Sequence, residues 1–163
     1  MERCHGRSRK YCKATNCQLQ VIGIDFGDKR IGIAIGDTGI GLAIPQDVYI
    51  NHSTSDAAGY IIGKAEETNA QVIVVGVPYS MSGKVGPQAE LVISFIEILR
   101  SQTRLPVEMV DERLSTSIVH KIVEQRLNKK RTRKKKFAIK ADGVDSSSAA
   151  VILQSWMDSR TIN

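Results

Sequence analysis

Residues 72–77 read Val-Ile-Val-Val-Gly-Val, six positions without a polar side chain. A strand that is apolar on both sides has to be covered on both faces, so it belongs inside a sheet flanked by helices. No other segment narrows the fold as much. The pattern before it is different. Gln20 to Asp25 is a short β-rich apolar run and Phe26 to Lys29 supplies turn residues. Arg30 to Gly36 then alternates, with Ile31, Ile33 and Ile35 on one side. After a turn at Asp37 to Gly39, a third strand is expected over Ile40 to Ile50, with Pro45 placing it at an edge or interrupting it.

Helical periodicity follows the meander. Ser53-Thr54-Ser55-Asp56 opens a helix whose inner face is Ala58, Ile61, Ile62 and Ala65. A Gly, Ser and Pro loop runs from Pro78 to Gly86. Ala89 to Arg100 is helical, with Val92, Phe95, Ile96 and Leu99 inward, and Pro106 to Val110 is a further strand. A helix is expected over Ser115 to Leu127 and a last one over Asp145 to Asp158, anchored by Val151, Ile152 and Trp156. The sum is an α/β fold: a five-stranded mixed sheet, three strands in a meander plus two more, with helices on both faces. In such sheets sites form at the carboxyl ends of parallel strands, which points to the ends of the first, fourth and fifth strands.

A chain of 163 residues fits one domain, expected over residues 19–160. Residues 1–18 read as a disordered basic leader, and residues 128–143 as a basic loop within the domain. No apolar run approaches the ~18 residues of a membrane span. Of the net charge of +6, residues 129–136 carry seven positive charges and residues 1–20 a net +4, which leaves −5 on the rest. An acidic body with two basic attachments suits a protein that grips a polyanion and also gathers carboxylates. Cys4, Cys12 and Cys17 all lie in the leader, at spacings that do not form a CxxC zinc site even with His5 beside them. A reducing, cytoplasmic location is the default, with an organelle open if the leader is a transit-peptide remnant.

The acids are where chemistry is expected. Asp25 closes the first strand on the same side as Gly23, Asp111 and Glu112 close the last strand, and Asp145 opens the last helix. Each has an ordinary reading: an Asx turn at Asp25, a solvated strand end at Asp111 and Glu112, a helix cap at Asp145. Together they form a set of hard oxygen ligands without nearby Cys or His, which selects Mg²⁺ or Mn²⁺. Two such ions about 4 Å apart can activate a water and steady the leaving oxygen of a phosphodiester.

Four segments around these acids carry a resemblance. They are Gly23-Ile24-Asp25-Phe26-Gly27-Asp28-Lys29-Arg30-Ile31-Gly32-Ile33-Ala34, Val75-Gly76-Val77-Pro78-Tyr79-Ser80-Met81-Ser82-Gly83, Val110-Asp111-Glu112-Arg113-Leu114-Ser115-Thr116, and Val144-Asp145-Ser146-Ser147-Ser148-Ala149-Ala150-Val151-Ile152-Leu153-Gln154. In content, order and spacing they resemble the YqgF (RuvX) family of Holliday junction resolvase-like proteins and pre-16S ribosomal RNA nucleases, over about residues 20–158. The resemblance implies a ribonuclease H-like fold with Asp25, Glu112 and Asp145 as catalytic, metal-binding acids. It implies a cytoplasmic hydrolase that matures the 5′ end of 16S ribosomal RNA, with the ribosomal small subunit as a partner. The family's second motif usually reads Gly-Leu-Pro followed by Asn or a similar residue, whereas Val77, Tyr79 and Ser80 stand here.

Around the acids, Arg30 can fork onto a phosphate or pair with Asp28, and Arg113 can orient Glu112, contact the phosphate or form a structural ion pair. Gly76 and Gly83 are candidates for letting backbone N–H groups approach phosphates. Lys129, Lys130, Arg131, Arg133, Lys134, Lys135 and Lys136 are the candidate nucleic acid grip, with little aromatic interleaving and so a backbone-reading character. The candidate substrates are precursor ribosomal RNA, which a monomer can trim, and branched DNA, which calls for a homodimer. The rival readings are a non-catalytic ribosome-assembly factor and a sugar kinase or ATPase of the actin-like class. The latter shares the first hairpin but needs a second domain that 163 residues do not supply.

Overall fold

The computed structural model describes residues 18–80, 85–114 and 143–161, with the side chains of 114, 143–146 and 161 outside that description. Its strands are β1 (Gln20–Phe26), β2 (Arg30–Asp37), β3 (Leu42–Ile50), β4 (Val72–Val77) and β5 (Val107–Asp111). Its helices are α1 (Thr54–Glu67), α2 (Pro87–Gln102) and α3 (Gly143–Thr161), with a short 3₁₀ turn at Glu112–Leu114. The sheet order is β3-β2-β1-β4-β5. β1 pairs antiparallel with β2 and parallel with β4, and β4 pairs parallel with β5. All six residues of β4 are buried, as its unbroken apolar sequence requires.

The two faces of the sheet are covered differently. Ile22, Ile24 and Phe26 of β1 and Ile73, Val75 and Val77 of β4 pack in one cluster with the inner residues of α1 and α2. Val21, Val72 and Val74 point the other way, to Ala149, Ile152, Leu153 and Trp156 of α3. The inner face expected for α2 is the one found: Val92, Phe95, Ile96 and Leu99 are buried. In α1 the buried set is Ala57, Ala58, Ile61 and Ala65, with Ile62 at the margin. Ser53 caps α1 by accepting from the Asp56 N–H at 3.1 Å.

Three elements start two residues away from the sequence reading. β3 starts at Leu42 because Asp37 captures the N–H groups of Gly39 and Ile40 at 2.7 and 3.2 Å, and Gly41 closes the turn with φ +67°. Ile40 is therefore in the turn and 73% exposed. α2 begins at Pro87, which needs no N–H partner in a first turn. α3 begins at Gly143, so position 145 lies inside its first turn rather than at its cap. Pro45 does sit in an edge strand, next to a register shift between Ile33 and Ala34. The helix expected over 115–127 and the basic loop after it lie outside the described residues.

α3 comes very close to the sheet because glycines lie under it. A Cβ at Gly23 would stand 2.7 Å from Leu153 Cβ and 3.1 Å from the Ala149 carbonyl oxygen. Polar contacts fix the helix along its length. Gln154 accepts from Ala43 N at 3.0 Å and donates to Gly41 O at 3.1 Å and Asp158 Oδ1 at 2.8 Å. Trp156 Nε1 donates to Glu108 Oε2 at 2.6 Å, and Arg160 donates to both oxygens of Glu108 while lying 4.2 Å over the indole.

Candidate active site

Strand alternation carries Asp25 to the α3 side. Ile24 and Phe26 belong to the opposite cluster, and Asp25 follows Gly23 by two residues, on the side where Gly23 meets α3. The register continues from Ile24↔Val75, so the residue beside Asp25 on β4 is Gly76. Glu112 reaches the same point from β5. A Cβ at Gly76 would stand 2.7 Å from Glu112 Oε1 and 2.5 Å from Ile152 Cδ1. Gly76 is thus a ladder residue of β4, paired with Val110, and the space above it holds the Glu112 side chain. It clears room for a carboxylate rather than opening a loop.

The two acids feel each other. Burial pushes the Glu112 carboxyl up to about 7, and the charges of Asp25 and then Asp111 push in the same direction. Asp111 is itself held below the usual carboxylate range, first by the hydrogen bonds from the Arg113 side chain. A raised acid favours folding while it is protonated. The Glu112 contribution is therefore fully present below about 4.5, its ordinary value, and is lost as pH rises through about 7. In chelator, the wild-type melting temperature minus that of Glu112→Gln should fall between pH 5 and pH 8. Screening of a half-exposed carboxylate trims the effect to ~1 kcal/mol, or about 2–4 °C for a domain of this size. A flat difference across that range would contradict the assigned environment.

The third acid comes from α3. Its backbone places position 145 one turn before Ala149. Leu153 and Met157 lie against Gly36, which pairs with Val21 near the start of β1, while Ala149 and Leu153 lie against Gly23. The helix thus runs antiparallel to β1, and its first turn extends toward the end that carries Asp25. The Asp145 side chain lies outside the described residues. Among the described residues, no group of three His, Cys, Asp or Glu side chains is placed to hold a metal ion. The donors present still suit one. Two carboxylates without imidazole or thiolate are a hard-ion set, and the strain that raises Glu112 is the kind a divalent cation relieves.

Beside Asp25, an open cleft of about 430 Å³ is lined, among the described residues, by Asp25, Gly27, Lys29 and Arg30. The turn that carries these basic groups is closed by Gly27 N donating to Arg30 O at 3.0 Å, and Asn51 N donates to Lys29 O at 2.9 Å. Arg113 forks onto Asp111, so the ion pair is the arrangement observed at this residue. Gly83, Lys129, Lys130, Arg131, Arg133, Lys134, Lys135 and Lys136 lie outside the described residues. Sequence reasoning missed Lys29 as a cleft residue, although its place beside Arg30 in the first turn was a signal. It also missed Gly76 as the seat of Glu112, which a one-dimensional reading does not reveal.

A five-stranded mixed sheet in this order, with a closing helix across the face to which Asp25 points, defines a ribonuclease H-like fold. Two resolvases share it. RuvC of T. thermophilus, solved with a Holliday junction substrate, superposes with a TM-score of 0.58 at 11% identity, over 88% of this chain and 97% of that one. The yeast mitochondrial Holliday junction resolvase Ydc2 gives 0.53 at 14% identity, over 90% and 82%. The chain belongs to the RuvX family, described as Holliday junction resolvase, whose profile matches residues 19–159. Among its relatives, proteins named "Putative pre-16S rRNA nuclease" are 34% identical over 143 residues in Desulforudis audaxviator (87% of this chain, 96% of that protein) and 38% identical over 143 residues in Chloroflexus aurantiacus (88% and 89%).

Proposed function

We propose that this protein is a metal-dependent endonuclease that hydrolyses phosphodiester bonds in structured nucleic acid, with the 5′ end of pre-16S ribosomal RNA as its substrate. The observation that supports this most is the Glu112 carboxyl seated over Gly76 beside Asp25, where burial first, and then the charges of Asp25 and Asp111, push it up to about 7. Asp25, Glu112 and Asp145 would hold the cation, Mg²⁺ or Mn²⁺. When bound, divalent ions supply an activated water and charge neutralisation at the leaving oxygen.

The chain's own residues do the rest. Glu112 would have to be deprotonated to hold the ion, so ion affinity is expected to rise with pH through about 7. Lys29 and Arg30 line the cleft beside Asp25 and draw a phosphate toward the acids. The run from Lys129 to Lys136 grips the backbone further along without reading sequence. Among the described residues no helix is long and apolar enough to cross a membrane. A cytoplasmic place of action, on the precursor of the small subunit, fits the reading. RNA trimming needs only one copy of the site. Junction resolution, the activity in the family's description, needs two in register.

The test is Mn²⁺-dependent cleavage of precursor 16S ribosomal RNA and of four-way junction DNA by the purified protein. Cleavage at the RNA 5′ end, with the junction left whole, is the expected result. Cleavage of the junction alone would move the substrate to DNA, and cleavage of neither would end the nuclease reading. A second expectation concerns the grip. Replacing the seven basic residues of 129–136 by Ser should weaken binding at low salt and flatten the log affinity against log salt plot. The slope should lose about 0.7 per phosphate contact removed on a single strand. An unchanged slope would free that segment from the role.

A further inference from the structure

Asp111, Glu112 and Arg113 are consecutive, and the chain runs from β5 straight into a 3₁₀ turn. Asp111 Oδ1 accepts from the Arg113 backbone N–H at 2.9 Å and from its Nε at 3.0 Å. Oδ2 accepts from Nε at 2.9 Å and Nη2 at 2.5 Å. The two residues that flank Glu112 are thereby closed into a ring on one side of the chain. Glu112 is left to depart on the other, toward Gly76 and Ile152. The remaining terminal nitrogen, Nη1, donates to the Ser80 carbonyl at 3.2 Å, and the guanidinium lies 5.7 Å from the centre of the Tyr79 ring. Tyr79 packs on the α1–α2 core and its N–H donates to Val77 O at 3.0 Å. The guanidinium thus ties the end of β5 to the chain just past β4, beyond their last pair, Val77↔Asp111.

We infer that Arg113 is a positioning residue, which fastens Asp111 and the Ser80 carbonyl to one planar group and so fixes Glu112 over Gly76. The inference rests on the nuclease reading for the meaning of Glu112, but its geometry does not. Only a fork can serve here. A lysine offers one compact charge and cannot span both oxygens of Asp111 and a carbonyl at once. The clip lies on the side of β5 away from Glu112. Arg113 therefore acts through the direction of Glu112 and not by touching the phosphate. Asp111 has the same part: its charge is spent on Arg113, and it serves as the post to which the turn is tied.

The experiment is a double-mutant cycle with Asp111→Ala, Arg113→Ala and the pair, plus Arg113→Lys. Each is read by Mn²⁺-supported cleavage kinetics and by calorimetric titration with Mn²⁺ alone. Displacing a catalytic group by an ångström is enough for about 10²-fold, and removing an orienting partner weakens ion binding by about 10–100-fold. The expected result is a kcat loss of about 10–100-fold in each single variant, with KM within twofold. The pair should be no worse than the worse single, Mn²⁺ affinity should fall about tenfold, and Arg113→Lys should give no rescue. The inference is overturned if Arg113→Ala raises KM and reduces the salt dependence while Asp111→Ala changes neither, which marks a direct phosphate contact. It is also overturned if the single losses multiply in the pair, or if Arg113→Lys matches wild type. Should Arg113→Ala fail to fold, Arg113→Lys carries both readouts. Should the wild type cleave no substrate, the nuclease reading falls, and the titration arm still decides: unchanged Mn²⁺ affinity in both Arg113 variants sinks the clip.

Discussion

Asp25→Asn is expected to lower cleavage by about 10³-fold or more while leaving substrate binding within a few fold. The amide keeps the size of the side chain and removes its charge. Glu112 lies over Gly76, next to Asp25 on the neighbouring strand, and the Asp25 charge reaches it, so in the proposed site each charge lost would weaken the seat of the cation. Metal-centred charge stabilisation is worth several kcal/mol in such reactions, and every 1.36 kcal/mol is a factor of ten. Glu112→Gln and Asp145→Asn should behave in the same way. Since the proposed grip is the basic run of 129–136, remote from Asp25 in sequence, gel-shift affinity is the control that separates lost chemistry from lost contact. Divalent-dependent cleavage surviving in Asp25→Asn/Asp145→Asn would remove both residues from the mechanism.

Gly23→Ala should be the most damaging single-methyl change in the core. Its Cβ would meet Leu153 Cβ at 2.7 Å and the Ala149 carbonyl oxygen at 3.1 Å, and neither atom is the free end of a side chain. α3 itself would have to move, at a penalty of about 1–3 kcal/mol typical of overpacking. The displaced helix also carries position 145, so activity should drop further than the loss of stability explains. Gly76→Ala makes the instructive contrast. Its obstacles are Glu112 Oε1 at 2.7 Å and Ile152 Cδ1 at 2.5 Å, both ends of flexible side chains. It should melt closer to wild type and yet lose most of its activity, because the atom that yields belongs to a proposed catalytic acid. Denaturant unfolding and single-turnover cleavage of both variants check the pair. Equal stability losses would show that α3 does not rest on Gly23 as described.

Much of this architecture could be read from periodicity alone. β4 was legible because an unbroken apolar hexamer has only one comfortable place in an α/β sheet. The inner face of α2 was legible because Val92, Phe95, Ile96 and Leu99 fall at helical spacing. What escaped were side-chain events that override local pattern. Asp37 reaches forward to take two backbone N–H groups and shortens β3, and Pro87 lets α2 begin before its first apolar residue. At the site, the candidate acids were legible from their position at strand ends and from family resemblance. A structural ion pair at Arg113 was one of several open readings, with no partner named. The choice between contacting a phosphate and holding Asp111 turns on the direction of one guanidinium, which spacing does not encode. The role of Gly76 was hidden for the same reason: its use depends on Glu112 from another strand.

Trp156 is the sole tryptophan of the chain, and it sits on α3 with its indole N–H on Glu108 and Arg160 stacked over the ring. The protein therefore carries its own optical gauge. Intrinsic emission excited at the red edge reports whether the Trp156 end of α3 is seated on the sheet. Burial of the ring and its hydrogen bond to Glu108 would be lost together when that end of the helix lifts. Docking of α3 on the sheet can thus be followed in real time without a label, alongside activity and in the same cuvette.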